Sequence, residues 1–102
     1  MKIYNKLVRD RIPEIIAAQG QTCSTRTLTD EEYLQALSRK LDEELAEYHA
    51  SGDLEELADL LEVIHAIAAA KGQDVRRLHE IMEKKAAERG RFEDKIMLIS
   101  VE

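Results

Sequence analysis

The chain has 102 residues, 44% apolar, 35% charged and 4% aromatic, with no Trp; that length holds one domain, 1–102, with a single core. Leu, Ala and Ile supply 33 of the 45 apolar residues, which suits helix packing better than sheets and excludes a disordered chain. A net charge of −6 disfavours nonspecific binding to a nucleic-acid polymer or an anionic membrane.

The opening Met1-Lys2-Ile3-Tyr4-Asn5-Lys6 is interrupted by charge too early for a signal peptide. From about Val8 to Gln19, Val8, Ile12, Ile15 and Ile16 share a helical face. Pro13 delays the helix start to its own neighbourhood, where a missing N–H costs little. Residues 21–29 are polar and Thr-rich and read as a loop or a short extended piece. The loop carries Cys23, the single cysteine, which implies a reducing, cytoplasmic setting.

Thr29 and Glu32 form a candidate capping box for a helix from Asp30 to about Ala50. Leu34, Leu37, Leu41, Leu45 and Tyr48 recur along it every three or four residues. A further helix, about Leu54 to Lys71, has Asp53 as its expected N-cap and a broad apolar arc. Glu55, Glu56, Asp59 and Glu62 within it exclude a membrane span. The short link between these two helices predicts an antiparallel hairpin. A last helix, about Asp74 to Arg89, places Val75, Leu78, Ile81, Met82 and Ala86 inward. Each helical stretch ends at a glycine suited to a left-handed cap: Gly20, Gly52, Gly72 or Gly90. The tail contains the β-rich run Ile96–Val101, which could pair with Lys2-Ile3-Tyr4 as a short hairpin. The fold expected is all-α: a helix hairpin with flanking helices. A chain this small should bury about 60–70% of its unfolded surface, so a monomer is marginal and calls for a partner copy.

The acids are not all placed for solvation. With Leu41 as zero and about 100° per residue, Glu44 lies about 60° from the apolar stripe and Glu47 about 120° on the same side, in a row with Lys40. Glu43 points nearly the opposite way. On the next helix Glu56 falls inside the apolar arc and Asp59 at its edge, while Glu55 and Glu62 point away. Each hairpin helix thus presents an i, i+3 acid pair beside its buried face. Like charges at that spacing repel, and oxygen-only ligands favour a hard divalent ion, Mg2+ with Mn2+ as second choice. For any single acid a solvated helix edge is the commoner explanation, and Glu56 could also serve as the capping partner of Asp53. Lys6, Arg9 and Arg11 near the start and Lys84, Lys85, Arg89 and Arg91 near the end could meet phosphates; the second cluster also suits a helix C-terminus. His49, His65 and His79 show no ligand spacing.

Glu43-Glu44-Leu45-Ala46-Glu47 followed by Glu56-Leu57-Ala58-Asp59 resembles the E-E-x-x-E … E-x-x-D signature of the all-α nucleoside triphosphate pyrophosphatases, the MazG-like superfamily. Tyr4-Asn5-Lys6-Leu7-Val8-Arg9-Asp10-Arg11-Ile12-Pro13-Glu14 is similar to the opening of a small branch described as phosphoribosyl-ATP pyrophosphohydrolase-like, and Lys85 … Arg89-Gly90-Arg91-Phe92-Glu93 to its closing K…R-G-G-F-E. Arg91 departs from the second glycine, and the link between Glu47 and Glu56 is shorter than in many members. The resemblance implies Mg2+ on Glu44, Glu47, Glu56 and Asp59, and a hairpin that pairs with a second copy into a four-helix bundle, as a homodimer or higher homo-oligomer. It also implies cleavage of a nucleotide substrate between its α and β phosphates, giving a monophosphate and pyrophosphate.

The expected mechanism is metal-assisted attack of water on the α-phosphorus. Glu43 or Glu47 would orient or deprotonate that water, and Lys6, Arg9, Lys40, Lys85 and Arg89 would hold phosphates. Two rivals accompany it: phosphoribosyl-ATP cleavage in histidine synthesis, and a non-catalytic helical module that assembles with itself.

Overall fold

A computed structural model describes all 102 residues. Four helices follow in order: α1 (Ile12–Ala18), α2 (Asp30–Ser51), α3 (Leu54–Ala70) and α4 (Val75–Arg89). There is no β-strand, and the expected pairing of Lys2–Tyr4 with Ile96–Val101 does not form. Two such short segments have too few ladder bonds to hold one another without a further strand or a packed helix.

Local chemistry explains most boundaries. Pro13 lies in the first turn of α1. The Thr29 hydroxyl accepts from the Glu32 N–H, and the Glu32 carboxylate accepts from the Thr29 N–H at 3.0 Å, completing the capping box. Arg26 grips the same carboxylate from the loop, at 3.1 and 3.2 Å. Asp53 stands at the start of α3 without a side-chain capping bond; its own N–H donates to Ser51 Oγ at 3.1 Å. Asp74 caps α4 by accepting from the Arg76 N–H. Between α2 and α3, Gly52 turns the chain with φ 71°, its N–H donating to the Tyr48 carbonyl. Only glycine enters that left-handed region without a steric penalty. Two linking residues leave the helices no choice but to fold back, and α2 packs along α3.

α4 leans on α3, with Leu78 and Ile81 joining Leu41, Ile64, Ile67 and Ala68 around a shallow apolar groove. The expectation that all of its apolar face points inward is corrected: Ile81 and Met82 are about half exposed. The interior is small. Among apolar residues only Ala36, Leu37 and Val63 are buried, while Leu45, Leu54, Leu57 and Leu61 of the hairpin face outward, Leu54 at 78% exposure. The radius of gyration is 18.0 Å, against about 13 Å for a compact chain of this length. The accessible surface is 9314 Å2, against about 5,900 Å2 for a compact monomer of this mass. Less than half of the unfolded surface is therefore removed from water, not the about 60–70% expected from length. Part of the excess is the extended tail; part is the hairpin's uncovered leucine row.

Candidate metal centre

The tight turn sets the register of the acids. Glu47 and Glu56 lie about equally far from Gly52, so the i, i+3 pairs of α2 and α3 meet on one side of the hairpin. One carboxylate oxygen from each of Glu44, Glu56 and Asp59 lies within 4.8 Å of the other two. Glu44 is only 6% exposed, the sole buried charged residue. Its Oε2, like Oε2 of Glu56, is buried without a hydrogen-bond partner. Glu47 is exposed and flanks this trio; it is not one of the three whose oxygens converge, but its charge acts on Glu44 and Glu56.

The electrostatics follow from that crowding. Glu44 is held above the usual carboxylate pKa, first by burial and then by the neighbouring Glu47 carboxylate; Lys40 opposes the shift. Glu56 is raised by the same causes, burial leading and Glu47, Asp59 and Glu44 adding charge. The first turn of a helix ordinarily favours a carboxylate, so for Glu56 desolvation and repulsion outweigh the helix dipole. Buried acids of like charge with orphaned oxygens are the environment a hard cation relieves. The donor set, all carboxylate oxygen, suits Mg2+ or Mn2+ over softer metals.

Three cations answer the acids. Lys40 Nζ is 3.5 Å from Glu44 Oε1 and 3.8 Å from Glu43 Oε1. Lys6 Nζ is 3.2 Å from Glu43 Oε1. Arg9 Nη2 donates to Asp59 Oδ1 at 2.7 Å, with Nη1 at 3.5 Å from Glu62. This corrects the helical-angle picture of Glu43 as the outer acid. Its side chain is 29% exposed and pairs with Lys6 of the N-terminal segment, a tertiary contact that no periodicity encodes. Glu62 is 61% exposed, as its helical angle predicts, with its carboxylate 3.5 Å from Arg9 Nη1. Lys85 and Arg89 are exposed on the second half of α4 and form no ion pair with any of these acids. Cys23 is free and exposed. His65, without ligand spacing in the sequence, lies half-buried on α3. Its Nε2 is buried without a partner, and its ring lies 6.1 Å from that of His79 on α4.

No helix is long and apolar enough to cross a membrane. No family model matches the chain, and no solved structure matches it. It is 61% identical over 46 residues to an uncharacterized protein of Mycolicibacterium smegmatis, a stretch covering 45% of this chain and 47% of that protein. The match therefore spans about half the length of each.

Proposed function

We propose that this chain is a Mg2+-dependent nucleotide pyrophosphohydrolase, cleaving the α–β phosphate bond of a nucleoside triphosphate or related nucleotide, and that it works as a homo-oligomer. The observation that carries this reading is the convergence of Glu44, Glu56 and Asp59 around buried, unpartnered carboxylate oxygen. These three would hold the cation, with Glu47 beside them. Bound there, Mg2+ would supply charge neutralisation at the phosphates and a more acidic water.

The remaining roles belong to this chain's own side chains. Glu43 is committed to Lys6 and Lys40, whereas Glu47 is exposed and free of ion pairs. Glu47 is thus the better placed of the two to take a proton from the attacking water. Lys6, Arg9 and Lys40 already stand against the acids, so phosphates held at those acids would fall within their reach. Lys85 and Arg89 could join only across an interface or by movement of α4. The uncovered leucines of α2 and α3 support pairing of two hairpins into a four-helix bundle, which would bury an apolar patch otherwise costly to leave in water.

A screen of nucleotides with Mg2+, read for pyrophosphate against orthophosphate, tests the assignment. Pyrophosphate release from canonical or damaged nucleoside triphosphates supports it; turnover confined to phosphoribosyl-ATP would move the substrate to histidine synthesis. The exposed leucine row also favours a second reading, a non-catalytic module that assembles with itself. That reading expects no turnover and no thermal stabilisation by Mg2+.

A further inference from the structure

The N-terminal segment, residues 1–9, has no helix of its own and lies against the hairpin at the acids. Its shortest polar contact is made by Arg9, whose Nη2 holds Asp59 Oδ1 at 2.7 Å while Nη1 reaches Glu62. Asp59 is one of the three residues whose oxygens converge, and the neighbouring Glu44, more than nine-tenths buried, keeps Oε2 without any partner. The same carboxylate cluster therefore has a guanidinium at its rim and an unanswered oxygen within. A guanidinium on an exposed flank is a weak counter-ion, since such pairs are screened and net little stability. A small divalent cation that several oxygens can surround is a stronger one.

Resting on the cation site proposed above, we infer that Arg9 is the counter-ion of the cluster in the absence of metal, and that a divalent cation displaces it from Asp59 and loosens the segment around Arg9, with Lys6 still paired to Glu43. The release has a chemical use. A guanidinium bound to Asp59 has part of its donor fork occupied; once freed, it presents the full fork to a pair of phosphate oxygens. Metal entry thus precedes and enables phosphate capture by Arg9, and the segment bearing it is set by the charge state of the acids.

The test uses Mg2+ alone and then inorganic pyrophosphate, on the full chain. Calorimetry compares wild type with Arg9→Gln, and with Lys6→Gln, which removes an equal charge from Glu43 without touching a converging oxygen. Arg9→Gln is expected to bind Mg2+ about three- to tenfold more tightly, exceeding the gain in Lys6→Gln, and to bind pyrophosphate more weakly once loaded. In the unmutated protein, the Arg9 Nε–H resonance and the 15N order parameters of residues 5–11 should shift from held to mobile values as Mg2+ is added. Equal Mg2+ affinities in the two variants, or a segment unmoved by Mg2+ in wild type, overturn the displacement and leave the cation site standing. Absence of Mg2+ binding in all three proteins removes the cation site itself, and the displacement with it.

Discussion

A carboxylate oxygen of Glu44 and one of Glu56 lie within 4.8 Å of each other across the hairpin, and each side chain keeps a buried oxygen without a hydrogen-bond partner. One charge comes from the middle of α2, the other from the first turn of α3. Apolar neighbours at these positions would cost the fold nothing, so the pair is a liability unless something cationic uses it.

Glu44→Gln is therefore expected to abolish pyrophosphate release while leaving helix content unchanged by circular dichroism. The amide keeps the shape and removes the charge that burial and Glu47 penalise, so the metal-free melting temperature should not fall. Retained turnover in this variant would refute the metal assignment.

Binding to the folded state alone raises stability by mass action. At Mg2+ a hundredfold above its dissociation constant, the gain should be about 2.7 kcal/mol, read as an upward shift in melting temperature that EDTA reverses. In Asp59→Asn or Glu56→Gln the shift should shrink or vanish. A shift retained in full by both variants would place the cation elsewhere.

The pH dependence of the metal-free protein has a definite sign. Glu44 and Glu56 titrate above the ordinary 4.5 in the folded state, so above 4.5 the native chain holds more protons than the unfolded one. Stability must then decline as pH rises from about 4.5 through their raised values. Glu32 acts oppositely: Arg26 and the Thr29 N–H hold it near 2, below the ordinary 4.5, so its contribution is lost as pH falls from 4.5 through about 2. Melting temperatures in EDTA should peak in the acid range, and Mg2+ should abolish the decline on the alkaline side. A metal-free curve that climbs steadily to neutrality would contradict the crowding of the two acids.

Leu57 and Leu61 are 40% and 51% exposed in a single chain. Leu57→Asp with Leu61→Asp should leave α2 and α3 intact but yield a monomer by sedimentation, with activity falling wherever the site draws on the second copy. An unchanged sedimentation coefficient would show that the hairpin's leucine row is not the contact.

Helix periodicity and caps were legible in the sequence because both are local. The spacing of Leu34, Leu37 and Leu41, the Thr29/Glu32 reciprocity and Gly52 each act within a few residues. The convergence of Glu44, Glu56 and Asp59 was legible too, since a two-residue turn makes helical angle sufficient to decide which acids meet. What lay beyond reach depended on sequence separations of 37 to 53 residues. Nothing in the spacing of Arg9 announces Asp59 or Glu62, and nothing in that of Lys6 announces its pairing with Glu43, an acid that angle alone assigned to solvent. Asp53 was identified correctly by position but not by bond: its carboxylate accepts no hydrogen bond from the first turn of α3.

With Ala36, Leu37 and Val63 as its only buried apolar side chains, one copy of this chain has little interior to lose on melting. Its heat-capacity change on unfolding should accordingly be small when dilute and, if hairpins pair as proposed, grow with concentration as leucines leave solvent. A melting temperature for this protein would then be a function of how much of it is in the tube, and figures measured at different dilutions would describe different equilibria.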